Sequence, residues 1–208
     1  YLYLLRGLGN TLLIAALAVI LGIVLGFLVA IIRSTHDKHG GLNILNFICK
    51  VYLTIIRGTP SMIQVLFMYL VVFGASSLNS IVIGGLAFGI NSGAYVAEII
   101  RSGIMSIDKG QMEASRSLGL SYAKSMRLVI LPQAIRTMVP SIINQFIITL
   151  KDTSILSVIG FPELVNTAKN VVANSFMSFQ TWGIVAVMYL IVITILSKVA
   201  KIVERRLN

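Results

Sequence analysis

Residues 11–32 run from Thr11 to Ile32 without one charged side chain. About 20 apolar residues in a helix cross the ~30 Å hydrocarbon core of a bilayer. Similar runs recur further along the chain. Charged residues make up only 12% of the sequence and hydrophobic ones 57%, with a mean hydropathy of +0.92. A soluble domain normally carries about a quarter charged residues. A soluble protein with an oversized core would not keep several such runs almost free of charge, so they read as membrane spans. The expected fold is therefore all-α, a polytopic membrane protein with a single domain over 1–208. The first run is too long for the apolar region of a signal peptide and ends in charge, so it reads as a retained span.

Five spans account for the chain, at about 11–32, 60–76, 81–106, 129–150 and 182–198. Thr59 is the expected N-cap of the second, with Pro60 in its first turn. Apolar 51–56 before it reads as an interfacial helix or an extension of that span. The fourth carries Arg136, Pro132 and Pro140. Lys and Arg then fall unevenly. One set of connections holds Arg33, Lys38, Lys50, Arg57, Arg101, Lys109, Arg116, Lys124, Arg127, Arg136, Lys198, Lys201, Arg205 and Arg206; the other side holds Arg6, Lys151 and Lys169. The positive-inside rule puts the C-terminus in the cytoplasm and the N-terminus outside. Five spans are an odd number, so both ends agree. The net charge of +10 belongs to these flanks and gives no ground for expecting nucleic acid. Gly22 and Gly26, and again Gly85, Gly89 and Gly93, have the four-residue spacing that lets helices approach closely in lipid.

Polar groups inside this apolar chain are few. Asn91, Tyr95 and Glu98 share one helix face. A carboxylate at membrane depth needs a partner or a wet cavity, so Glu98 either contacts a ligand or pairs with Arg101 one turn on. Lys151-Asp152-Thr153-Ser154 is a dense polar cluster after the fourth span. Its lysine and carboxylate suit a ligand with both an ammonium and a carboxylate, such as an amino acid; an exposed turn, with Asp152 capping a short helix, is the other reading. His36 and His39 flank Asp37 in a basic loop with no further ligand at zinc spacing. No P-loop pattern occurs, and no acid–base or nucleophile set is present. Cys49 stands alone.

Between the third and fourth spans lies a short charged island. Glu113-Ala114-Ser115 is followed by three residues, Gly119, nine more residues and Val129-Ile130-Leu131-Pro132. This pattern resembles the EAA loop of the membrane-spanning subunits of ABC importers. Arg57-Gly58-Thr59-Pro60 with Gln64, the run 92–101, the run 106–111 and Lys151–Ser154 with Ser157–Gly160 are similar to the polar amino-acid permeases of the histidine/glutamate/glutamine/arginine/opine branch. The likeness extends over roughly 10–205. Ser115 stands where Ala is more usual, and Val129 where Ile is.

The resemblance implies a five-helix type I importer transmembrane domain in the prokaryotic inner or plasma membrane. It implies a permease dimer, of two copies or of this chain with a relative, two cytoplasmic ATPase subunits and an extracytoplasmic substrate-binding protein. ATP and Mg would be held by the ATPase, and no cofactor by this chain. A coupling helix at about 111–120 would dock on the ATPase through Glu113, Ala114, Ser115, Arg116, Gly119, Leu131 and Pro132, with Gly119 ending the helix and Pro132 setting the turn into the fourth span. The cargo would be a polar amino acid, with Asn91, Tyr95, Glu98, Lys151 and Asp152 as substrate residues; Glu98 and Asp152 leave a cationic side chain open. An ion-gradient-driven secondary transporter or channel, a membrane enzyme and a scaffold are the alternatives. Dependence on an ATP-binding chain separates the first reading from these.

Overall fold

The computed structural model describes residues 2–207, with the side chains of Lys38 and His39 outside the description. Among the described residues there is no strand. The helices are α1 (Leu2–His39), α2 (Asn43–Gly58), α3 (Ser61–Phe67), α4 (Ser80–Met105), α5 (Lys109–Ser117), α6 (Tyr122–Ser125), α7 (Leu131–Asp152), α8 (Leu164–Ser175) and α9 (Ser178–Leu207). A π turn, Met68–Val72, extends α3. A second, Met126–Ile130, joins α6 to α7, and a 3₁₀ turn, Thr153–Ile159, follows α7. Four stretches are long and apolar enough to cross a membrane: Leu2–Asp37, Ser80–Met105, Tyr122–Ile159 and Ser178–Leu207. A fifth arises if α2 and α3 with its π turn, bent by 114° at their break, count as one broken span.

Several expected boundaries move. The first helix extends past both ends of 11–32, because the flanking polar residues are tolerated where the helix leaves the hydrocarbon. The segment 60–76 is shorter than expected, ending at Val72. Residues 43–58 form a helix of their own, sharply turned from α3. Thr59 is not the N-cap of that span. Its hydroxyl donates back to the Ile55 carbonyl at 2.8 Å and so closes α2. Pro60, extended at ψ 135°, occupies the cap position instead. Proline has no N–H to lose there and disfavours a helical residue before it.

Pro132 also differs from expectation. It sets no turn, since one continuous stretch passes through it from Tyr122 to Ile159. Its missing N–H falls beside a π turn, where Leu131 N already donates five residues back to the Met126 carbonyl, and the Gln133 side-chain amide adds a bond to the Val129 carbonyl at 2.8 Å. Side-chain donors and local π adjustment re-satisfy freed backbone groups in this way.

α4 is the hub, the most buried of the long helices, and it lies along α1. The glycine repeats are the reason. A Cβ on Gly26 would stand 2.8 Å from the Ala97 backbone nitrogen and from Val96, and one on Gly89 would stand 2.8 Å from the Leu21 Cβ. Only hydrogen fits, so the two backbones meet and gain dispersion contact that lipid cannot supply. The main core joins Ile14, Ala18, Ala87 and Phe88 of α1 and α4 to Leu156 and Phe161. Val96 and Ile100 of α4 pack on Ala134 and Met138 of α7. α9 is peripheral, with Thr181 and Val185 its buried residues.

Candidate functional site: a polar stripe along α4 and an exposed charged helix

The break between α2 and α3 leaves carbonyls without helical donors. Gln64 fills them. Its Nε2 donates to the Ile56 carbonyl (2.8 Å), the Thr59 carbonyl (2.9 Å) and the Thr59 hydroxyl (2.8 Å). Its Oε1 in turn accepts from Asn91 Nδ2 at 2.8 Å. Asn91, buried on α4, is thereby tied through one glutamine to the bend of the broken span. Tyr52 of α2 donates to the Ile90 carbonyl beside it. Glu98, two turns further along α4, meets two guanidiniums. Arg101 donates to Oε1 at 2.8 Å and Arg57, from the end of α2, to Oε2 at 3.3 Å. The Arg101 pairing expected from sequence is present, and Arg57 is an addition that sequence spacing could not reveal. Tyr95, between the two anchored positions, is exposed.

Lys151 and Asp152 end α7 and do not join Glu98. Gly103 of α4 lies against Met138, and Gly84 lies against Leu156 and Phe161, so α4 and α7 run antiparallel. Asp152 then falls near the level of Phe88, roughly 15 Å along the axis from Glu98 at 1.5 Å per residue. A free amino acid is too small to span that gap. Asp152 caps nothing: the 3₁₀ turn after it has no side-chain cap bond. Among the described residues its carboxylate makes no ion pair and no side-chain hydrogen bond, and it is half-buried. Among the described residues no group of three or more His, Cys, Asp or Glu could hold a metal ion. The segment expected to be a basic loop is the end of α1, which carries His36 and Asp37 on its last turns and runs to His39, whose side chain lies outside those described.

At the other end of α4 the chain turns into α5. Asp108 caps it, accepting from Gly110 N at 2.7 Å. The helix begins two residues before the expected 111–120 segment and ends at Ser117. Its C-terminus is a Schellman turn: Leu120 N donates to the Ser115 carbonyl and Gly119 N to the Arg116 carbonyl. Gly119 takes φ +84°, which L side chains resist. Arg116 adds a bond from its guanidinium to the Leu120 carbonyl at 3.2 Å. Ser115 alone is buried, which holds α5 onto the chain; Glu113, Ala114 and Arg116 are exposed. Leu118 is 84% exposed, an apolar knob in a charged segment. That contrast was readable in the sequence, yet Leu118 was not among the expected coupling residues. Leu131 and Pro132 stand at the start of α7, the first half-buried and the second exposed.

Glu163 escaped sequence reasoning because nothing in Phe-Pro-Glu-Leu marks a buried acid. It is 0% exposed and caps α8, accepting from Val165 N at 2.8 Å and Asn166 N at 2.6 Å. The Thr11 hydroxyl of α1 accepts from Leu164 N at 3.1 Å, and Asn10 donates to the Pro162 carbonyl at 2.6 Å. Burial pushes the Glu163 carboxyl up to about 7, against the two amides and Lys169. Lys169 itself donates to the Ser157 hydroxyl at 3.0 Å.

Residues 22–208 match the family described as binding-protein-dependent transport system inner membrane component. The chain is similar to the glutamine transport system permease protein GlnP of Escherichia coli K12, 40% identical over 99% of this chain and 93% of the relative. It is similar to the putative glutamine transport system permease protein GlnP of Rickettsia typhi, 36% identical over the same shares. Its fold matches the crystal structure of an amino acid ABC transporter with histidines at a TM-score of 0.90 and 38% identity, covering 98% of this chain and 94% of that one. An inward-facing structure of the MetNI methionine ABC transporter shares the fold at a TM-score of 0.76 and 20% identity, covering 99% and 96%.

Proposed function

The chain belongs to the binding-protein-dependent transport system inner membrane components and is a permease subunit of an ABC importer; we propose that its cargo is a polar amino acid. The family lends no support to an ion-gradient drive. The observation that carries the proposal is the polar set inside apolar spans: Asn91 bonded to Gln64 at the helix break, and Asp152 near the same depth, with no ion pair or side-chain hydrogen bond among the described residues. An ionised carboxylate there is costly without a close counter-charge. The neighbouring Lys151 attracts Asp152 without pairing to it; a ligand ammonium supplies the direct contact and leaves Lys151 for the ligand carboxylate.

Glu98 is a second station, not part of the first. Both its oxygens are occupied by arginines, so a passing ammonium must displace one of them. We infer a path along the exposed Tyr95 from the Asp152 level towards Glu98, opened to one side and then the other as the helices rock. Rocking is a two-state switch that ATP biases. The force enters at α5, which presents Glu113, Arg116 and Leu118 to a separate ATPase in the cytoplasm. ATP and Mg sit on that partner. The assembly is completed by a second permease chain and an extracytoplasmic substrate-binding protein, with this chain's N-terminus outside and its C-terminus in the cytoplasm. The family's members are not themselves the catalytic subunits, and this chain supplies shape and a path.

The test is uptake by proteoliposomes holding the complete assembly, against a panel of labelled amino acids. Polar amino acids are expected to be imported with ATP and not without it. Uptake confined to apolar amino acids or to other solutes would overturn the cargo assignment.

A further inference from the structure

A hollow of about 280 Å³ opens where α1, α2, α4 and α6 meet. Val29, Leu53, Ala97 and Ile104 make its walls largely apolar, and Arg33 and Arg101 bring two guanidiniums to it. Arg33 directly follows the charge-free run 11–32, so its head lies where the hydrocarbon ends. The two arginines differ in partners. Arg101 is committed to Glu98. Arg33 makes no ion pair among the described residues, and its Nε is buried with no acceptor. Burial closes that N–H off from the hollow, so a ligand there would meet the outer nitrogens of the Arg33 guanidinium, which pair with no carboxylate among the described residues.

Asp37 also lines the hollow but does not fill that role. Its side chain is 68% exposed and stands 3.5 Å from His36. On the other side of Arg33 a second hollow holds Lys50 and Arg57. The two hollows thus carry Arg33, Arg101, Lys50 and Arg57 against one lining carboxylate, Asp37, while Glu98 is taken up by Arg57 and Arg101.

We propose that the first hollow binds the headgroup phosphate of an anionic phospholipid, with Arg33 donating to the phosphate oxygens and the apolar walls receiving the start of an acyl chain. The chemistry is that of any phosphate: a planar guanidinium fork matches its oxygens and is weakly hydrated. The apolar walls and the depth of Arg33 select the lipid over a free ion. The proposal needs only that the chain spans a membrane, and it stands apart from the choice of cargo.

The experiment uses the intact permease–ATPase assembly, purified in neutral detergent and offered phosphatidylglycerol, phosphatidylcholine or inorganic phosphate. Retained lipid is counted by native mass spectrometry. Phosphatidylglycerol is expected to be held and phosphatidylcholine lost. Arg33→Gln should cut retention about ten-fold, the worth of a charge-assisted bond. Arg33→Lys, which keeps the charge but not the fork, should cut it several-fold and serves as the test if Arg33→Gln fails to assemble. Lys201→Gln, a basic residue elsewhere at the membrane flank, should change nothing. Equal loss in Lys201→Gln would mean diffuse attraction and overturn the site. So would displacement of the lipid by millimolar phosphate alone, which would make it a free-anion site. Failure of the unaltered assembly to retain any anionic lipid would mean that another subunit covers the hollow, and would overturn it as well.

Discussion

Single side chains differ most in whether they have a partner. Asp152 has neither an ion pair nor a side-chain hydrogen bond among the described residues, while Glu98 has two arginines. Asp152→Asn is therefore expected to raise the KM for cargo about ten-fold or more, with the ATPase still assembled, because a ligand ammonium loses a charge-assisted bond. Glu98→Gln should lower the maximal rate more than it raises KM, since it frees Arg57 and Arg101 without touching the first station. Uptake kinetics in proteoliposomes separate the two. An unchanged KM in Asp152→Asn would move the ammonium site elsewhere. Glu163 gives a pH-dependent counterpart. Its carboxyl titrates near 7 in the fold against an ordinary 4.5. The folded chain thus holds its proton more tightly than the unfolded one, and the contribution to stability is full below about 4.5 and lost as pH rises through about 7. Thermal melting of the detergent-solubilised chain should fall between pH 5 and pH 8. Glu163→Gln, which cannot ionise, should flatten that slope. An equal slope in the variant would assign it to another group.

At the scale of helices and their ends, the proposed coupling rests on α5. α5 is ended by Gly119 in the left-handed region, where a β-branched residue is a steric outlier. Gly119→Val should cost about 1–2 kcal/mol locally and misalign Leu118 and Arg116. Together with Arg116→Ala it is expected to separate ATP hydrolysis from uptake while the protein still inserts. Parallel assays of the two rates check this, and normal coupled uptake in both variants would remove α5 from the docking role. The α1–α4 seam offers a different element-scale prediction. Gly26→Val would drive a side chain into the Ala97 backbone. Overpacking of this kind costs about 1–3 kcal/mol, so a melting temperature lowered by several degrees is expected. A Gly9→Val control, with open space around its Cβ, should melt as the parent does.

For the whole molecule, the two ends of the bundle differ. Arg33, Arg57 and Arg101 converge at one end of the bundle, while Asn10 and Thr11 meet the 160–164 turn at the other. The fold shows this convergence of three arginines; which end faces the cytoplasm is an orientation that the positive-inside rule assigns from the sequence. Cysteines introduced one at a time by Leu78→Cys and Lys109→Cys in a Cys49→Ser background would report it. An impermeant thiol reagent on intact cells should label position 78 and spare position 109. The reverse labelling would invert the topology and, with it, the side on which an ATPase could meet α5.

Some of this was legible in residues alone. Charge-free runs are read by the bilayer one segment at a time, so Thr11–Ile32 announced a span with no knowledge of its neighbours. Glu-Ala-Ser with Gly at its offset announced a capped helix because Schellman turns are built from consecutive residues. The glycine repeats announced a close approach, but not of which helices. Tertiary structure decided what depends on pairing across distance. It bent the chain at Thr59–Pro60 and closed the gap with Gln64, made Arg57 a partner of Glu98, and buried Glu163 beneath α1. It also set Asp152 and Glu98 at different depths, so residues that sequence grouped together stand roughly 15 Å apart along the helix axis. The physical reason is that hydropathy and capping are local energies, whereas a polar group in lipid is satisfied by whichever donor or acceptor the packed helices bring to it.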